Sequence, residues 1–398
     1  MVDHTFRFRT LTPMWTGGTD RNSNRLHEPG LIGSLRWWYE GIVRGLGGRT
    51  CDVTADDASK RCIIKQKKGE TSEDAYEGLC PACRLFGSTG WRRRFRLEMQ
   101  GLEPQNLFFI SSTGVYQVAG NWLWRIFGGQ ELGGTRTGRG AAVTFRFGVQ
   151  ALWGDHATLK VTPLPVSGED TLARVAFLLD TVVHWGALGA KPQHGFGQTQ
   201  ITAGLDPTLV RMGRRAVATD CANNSEKSSP DCFNLGHFFS HIYELAQSEP
   251  YQGTGKEIGL PPSPLDYRQN FIPCAFDIRY KSRSVDFRTH RGTNFGMRPW
   301  FQEKWGRKMT HQVFGRSDAH RDDQRAAGRI HVSHLFRMEP KGPWHLKVWG
   351  HVPANLISDS GEPVSVADVA WQVTAFVQTM FPGSRLIEQF DREEVLGP

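Results

Sequence analysis

Four cysteines carry the most definite chemistry in this 398-residue chain. Cys80 and Cys83 form a "CPAC" bite, and Cys51 and Cys62 precede them in one polar stretch. A C-x-x-C pair holds two thiolates at the separation tetrahedral zinc requires, and two more thiols complete a four-sulfur set. Ten and then seventeen residues intervene between the outer thiols, which matches no standard finger. Structural zinc is the expectation; simple buried thiols, or a partial site completed by His27, are the alternatives. A polar insertion with little core of its own would gain its shape from a metal. Cys221, Cys232 and Cys274 have no such grouping. An odd total of seven, with no secretory signal, argues against a disulfide framework.

A second constellation is "GALGAKPQHGFGQTQ", residues 186 to 200. Gly186, Gly189, Gly195 and Gly197 are interspersed with Lys191, His194 and Phe196. Glycine leaves no Cβ in the way, so backbone N–H groups approach an anion closely. Lys191 and His194 would add charge and donors, and Phe196 a face for a base. The alternative is a glycine-rich turn with no ligand. Upstream, Gly17, Gly18, Asp20, Arg21 and Arg25 lie just before a helix, whose N-terminus would assist a backbone cradle. Asp20 alone has no visible partner for metal or proton work, and its plain role is a turn.

Elements must position these groups. "HTFRFRT" alternates as a half-buried strand does. From about Pro29, Ile32, Leu35, Tyr39, Ile42, Val43 and Leu46 form one helical face, with Trp38 core-facing. Arg36 and Trp37 lie off that face, open to a ligand or neighbouring subunit; an i, i+4 bridge to Glu40 is the equal alternative for Arg36. "CRLFGSTGWRRRFR" places Arg84, Ser88, Arg92, Arg93, Arg94 and Arg96 around a strand, of which half the arginines can face one way. Phosphate binding is the preferred reading; a solvated edge strand is the plain one. "NLFFISS" reads as a strand, "TLARVAFLLDTVVHW" as an amphipathic helix and "QTQITAG" as a closing strand. Residues 204–232 have linker composition. Beyond them "FNLGHFFSHIYELAQ" reads as a helix and "FIPCAFDIRYK" as a strand. "VSVADVAWQVTAFVQTMF" reads as a helix with Ser365 and Asp368 at capping-box spacing. "CRLFGSTGWRRRFRLE" is echoed by "HQVFGRSDAHRDDQRAAGRIHVSHL", a sign of a duplicated domain. The stretch from 281 to 308 interleaves Arg with aromatics, as single-stranded RNA surfaces and protein interfaces both do.

The length suits two domains. No stretch approaches the roughly 18 apolar residues of a membrane span, and a cytoplasmic protein is expected. Net charge is +8, with Arg well ahead of Lys, which makes nucleic acid a natural partner.

Taken in order, "TPMWTGGTD", "GLIGSLRWWYEGI", "CRLFGST" and "GALGAKPQHGFGQ" resemble the motif series of RAMP-superfamily proteins of CRISPR systems, in particular the first RAMP subunit of the Cmr-type (type III-B) effector complex. Ile32 stands where that pattern has arginine, which removes one expected backbone contact. The resemblance implies an α+β fold of tandem ferredoxin-like (RRM-like) domains. These would be an N-terminal RAMP domain at 1–203 with an insertion at about 49–82, a linker at 204–232 and a C-terminal RAMP-like domain at 233–398. It implies a non-catalytic subunit in antiviral defence. The partners would be guide RNA near its 3′ end, target RNA and other RAMP subunits, with no membrane. The implied RNA contacts are Gly17, Gly18, Asp20, Arg21, Arg25, Arg36, Trp37, Arg84, Ser88, Arg92, Arg94, Lys191, His194, Gly195 and Phe196. Related subunits cut target RNA with an aspartate in the loop of Asp20, but the Gly-Gly-x-Asp element belongs to the non-cleaving subunit's own pattern. The rivals are a metal-independent repeat-processing endoribonuclease using His194 or His184, and an assembly subunit that touches only protein.

Overall fold

The computed structural model describes residues 3–18, 23–52, 57, 60–64, 76–111, 145–164, 170–223, 232–246, 275–280, 296–316 and 327–397. The chain builds a four-stranded and a five-stranded antiparallel sheet whose four main strands run in the same order. In the first, β1 (His4–Thr10), α1 (Glu28–Gly45), α2 (Pro81–Phe86) and β2 (Phe95–Gln100) are followed by the hairpin of β3 (Glu103–Ser111) and β4 (Phe145–Trp153). Then come β5 (Ala157–Pro163), α3 (Asp170–Trp185) and β6 (Thr199–Ala203), and the sheet order is β2-β5-β1-β6. After α4 (Pro207–Ala222), the second half runs β7 (Phe238–Glu244), α5 (Ala275–Tyr280), α6 (Met297–Trp305), α7 (Arg307–Phe314) and β8 (Ile330–Val332). It continues through β9 (Phe336–Arg337), β10 (Trp344–His351), α8 (Val366–Met380), β11 (Arg385–Gln389) and α9 (Arg392–Leu396), with sheet order β8-β10-β7-β11 and the fifth strand, β9, pairing beside β10. Each half is thus strand–helix–strand–strand–helix–strand with its first and third strands at the sheet centre.

Local sequence explains most of these elements. Phe6 and Phe8 of β1 are buried while Arg7 is exposed, as alternation requires. Leu31, Leu35, Trp38, Tyr39, Ile42 and Val43 bury one face of α1, whereas Ile32 and Leu46 stay at its margin. Ser365 and Asp368 exchange both bonds of a capping box at the start of α8. The Phe-Gly echo falls at one place in each half, after a short helix. Gly87 has φ 87°, ψ 165° and Gly315 has φ 83°, ψ 162°, a region only glycine enters freely.

Three expectations differ from the structure. Residues 238–244 are a strand, not a helix, because both faces of β7 are covered: Phe238 joins the first hydrophobic cluster, Phe239 and Tyr243 the second. Residues 275–280 are a helix, not a strand, burying Ala275, Ile278 and Arg279 at helical spacing. The stretch of linker composition contains α4, which buries Gly213, Val217 and Cys221 four residues apart and starts with Asp206 accepting from the Thr208 amide at 2.7 Å.

The halves meet along β10. Its Leu346 and Val348 enter the second core, while Trp349 enters the first and packs 5.1 Å from Trp38. Lys347, on that same face of β10, is buried and donates to the carbonyls of Val183 (3.2 Å), His184 (2.7 Å) and Gly186 (3.4 Å) at the end of α3. These are the acceptors a helix C-terminus leaves unpaired, and a cation there meets the negative end of the dipole. Burial pulls the Lys347 ammonium down to about 7.

A Cβ on Gly186 would overlap the ring of Trp38, whereas Gly33, in the middle of α1, has open space around it. Gly186→Ala should therefore lower stability by roughly 1–3 kcal/mol through overpacking. Gly33→Ala should raise it by about 1 kcal/mol through helix propensity. Urea denaturation of the two variants beside the parent chain checks both signs.

Candidate functional site

The glycine loop runs from the end of α3 through a short 3-10 turn at Pro192–His194 into β6, and it lies in the seam between the halves. Its backbone is spent on protein. The amide of Leu188 donates to the Gly197 carbonyl (2.9 Å), and that of Gly189 to Ser34 Oγ (3.1 Å). The Ala190 amide donates to the Trp15 carbonyl (2.7 Å) and the Gly197 amide to that of Pro13 (2.8 Å). Thr12 Oγ1 donates to the Gly195 carbonyl at 3.0 Å. From the second half, the Arg279 guanidinium donates to the Gln193 carbonyl at 2.9 Å and the His334 amide reaches the Gly195 carbonyl. The "TPMW" and "GALGAKPQHGFGQ" motifs therefore interlock, and the glycines let two backbones close on each other.

This arrangement sets several of the expected contact side chains against protein. Phe196 is fully buried, edge-on to Trp15 (5.6 Å) and His334 (5.2 Å), so it presents no face to a base. His194 is 4% exposed, and burial, then Arg279 and Lys191, hold it neutral well below the usual histidine range. Gly195 is buried against Ala275 and His334. Lys191 folds back so that Nζ lies 3.5 Å from the centre of the Trp15 ring. Arg36 is absorbed by the protein: Nε donates to Glu40 (3.0 Å), Nη1 to the Gly87 carbonyl (2.7 Å) and Nη2 to Cys83 Sγ (3.1 Å). Arg84 donates to the carbonyls of Leu79 and Glu77, and Arg94 lies over Tyr76 at 4.3 Å. Ser88 closes a small hairpin with Trp91 through two backbone bonds.

Other residues remain accessible. Arg25, Arg92 and Arg96 are exposed, and Gly17 and Gly18 are half-buried beside the start of α1. Asp20 and Arg21 lie outside the described residues. Trp37 is 36% exposed and stacks on Phe233 with 3.7 Å between ring centres and 5° between planes. That stacked pair borders a cavity of about 640 Å³ between the halves. Gly189 and Gln193 line it from the glycine loop, and Arg329, His331 and His351 from the second half. Arg329 Nη1 lies 3.4 Å from His351 Nε2, and His331 stacks on Trp349 at 4.0 Å.

The four cysteines form a separate centre. Cys51, Cys62, Cys80 and Cys83 bring their sulfurs within 4.8 Å of one another, and all four are free thiols. His27 is not among them. Hydrogen bonds within the set, first from Cys51, pull Cys62 and Cys80 below the usual thiol range, and the same bonds push Cys51 and Cys83 up. Four sulfurs at this spacing are compatible with a tetrahedral metal.

Residues 7–200 match the family model of the RAMP superfamily. The first half of this chain belongs to the RAMP superfamily. Among solved structures the chain is similar to apo Cmr1 from Pyrococcus furiosus, at 13% identity over 97% of this chain and 98% of that one, with a TM-score of 0.45. It is also similar to a chain of the type III-B Cmr-beta complex bound to cognate target RNA, at 11% identity over 95% and 99%, with a TM-score of 0.39. No curated protein matches it in sequence. Among the described residues no helix is long and apolar enough to cross a membrane.

The cavity beside the RAMP glycine loop is not legible in the sequence, because its second wall is remote in the chain. The one local signal is the Phe-Gly echo, which leads directly into "RAAGRIH" and so into Arg329 and His331. The seam is also rich in buried histidine. Burial pulls His334 and His351 down to about 3, and His194 and His331 well below their usual 6.5. Above 6.5 these groups are neutral in both states and their contribution is fully present; as pH falls towards about 3 the unfolded chain binds protons that the folded chain refuses. Stability should fall across that window. Urea midpoints measured along a descending pH series, with proton uptake on unfolding, check this.

Proposed function

We propose that this chain is a non-catalytic RNA-binding subunit of a type III-B CRISPR ribonucleoprotein, built from two ferredoxin-like RAMP halves of about 1–203 and 233–398. Its place would be at the guide 3′ end, touching guide or target RNA and neighbouring RAMP subunits in the cytoplasm. The observation that carries the reading is the cleft between the halves. A volume near 640 Å³ suits a small ligand group, and Trp37 at its rim and Arg329 in its wall offer a stacking surface and a phosphate partner. The motif-bearing glycine loop supports that cleft as its floor instead of gripping RNA with its own amides. Arg25, Arg92 and Arg96 would extend the basic surface outside it. The cysteine centre is read as a structural zinc site of the first half.

The endoribonuclease reading draws less support. His194 is buried beside the cationic Arg279, and exposed His184 pairs with Glu388 at 2.7 Å. His194 is closed off from solvent, and the exposed His184–Glu388 pair lies outside the residues that line the cleft.

Binding of fluorescent single-stranded RNA to the full chain, followed by anisotropy over a salt series, tests the cleft. Arg329→Gln should weaken RNAs of unrelated sequence alike and reduce the slope of log affinity against log salt by about one. An unchanged slope and affinity would remove the cleft from the RNA path. Retention of RNA and RAMP partners by the tagged chain in a pull-down tests the assembly.

A further inference from the structure

The cysteine centre and the first Phe-Gly turn are joined at three places. Cys80 and Cys83 sit at the start of α2, which runs straight into Gly87, whose amide donates to the Cys83 carbonyl at 3.0 Å. Just after Cys62, the Ile64 amide donates to the Thr89 carbonyl at 3.1 Å. Arg36 provides the third link, one nitrogen on Cys83 Sγ and another on the Gly87 carbonyl. The turn then closes through Ser88 and Trp91, and the Arg94 amide returns to the Leu85 carbonyl at 3.0 Å.

A tetrahedral zinc with Zn–S bonds of about 2.3 Å spaces its sulfurs by about 3.8 Å. The sulfurs of Cys51 and Cys83 stand 3.3 Å apart, and the whole set lies within 4.8 Å. Zinc bound by four thiolates carries two net negative charges, which a buried site must offset. Arg36 is placed to offset one of them. Its carboxylate partner Glu40 is shared with Arg44 at 3.5 Å, so these three groups leave one net positive charge for the sulfurs. The second half has no counterpart among the described residues: its Phe-Gly turn is held by Arg279 donating to the Phe314 carbonyl at 3.2 Å, with no cysteine set beside it.

Resting on the zinc reading of this centre, we propose that the metal anchors the first-half Phe-Gly turn and the arginine segment behind it, with Arg36 as the positioning residue that couples thiolate charge to the Gly87 carbonyl. The purified full chain should contain one zinc, and Cd²⁺ in its place should show thiolate-to-metal charge-transfer absorption. Zinc affinity by chelator competition should fall about 10–100-fold in Arg36→Gln, with partial rescue in Arg36→Lys. Chelation should speed amide exchange at residues 87–94 and leave residues 313–316 unchanged.

Four freely reactive thiols with no zinc and no cadmium absorption would overturn the zinc reading itself. Zinc held equally tightly in Arg36→Gln would overturn the coupling alone. Exchange that rises equally in both turns, or in neither, would also overturn it.

Discussion

The buried amino group of Lys347 holds the two sheets in register. Lys347 stands on the central strand of the second sheet and ends in the open carbonyls at the close of α3. Desolvating that group is expensive, and the expense is tolerable only while all three acceptors stay in place. The position of α3 relative to β10 is therefore set within hydrogen-bond tolerance. Trp38, Trp349 and Phe238 pack around the same point, so apolar burial and the polar contact demand the same geometry. The glycine loop begins where the lysine ends, and every contact it makes inherits that register.

Seen from this seam, the motifs of the first half serve architecture before recognition. Glycines that resemble a phosphate cradle bring the loop against Trp15 and Leu188 instead, and the arginine of "SLRWW" is held among a carboxylate, a carbonyl and a thiol. What remains for a ligand is the space these contacts define. Trp37 and Arg329 come from elements nearly three hundred residues apart and meet only because the halves are locked.

Much of the first half is legible because its elements have one buried face. The alternation of Phe6 and Phe8, the stripe on α1 and the four-cysteine grouping each rest on local rules, as does the capping box at Ser365 in the second half. The second half hides its strands where both faces are covered. β7 and β10 are buried almost throughout, so "FFSHIYE" carries no period-two signal, and its phenylalanines fit a helical stripe equally well. The burial of Phe196 and His194 is illegible for a related reason: the surface covering them comes from Ala275, Arg279 and His334, and no local spacing reports a partner so distant.

The last helix has a bearing on how the chain is made. Leu396 belongs to the hydrophobic cluster of the first half, packing beside Gly45, and Arg392 donates to the Gly45 carbonyl at 3.2 Å. A ribosome emits the first sheet long before these residues exist, so that domain leaves the exit tunnel with part of its core uncovered. Phe233, Leu235 and Trp349 close other parts of the same core, and they too arrive late. During synthesis the early half waits with apolar surface uncovered, and it reaches its final packing only after Leu396 has emerged.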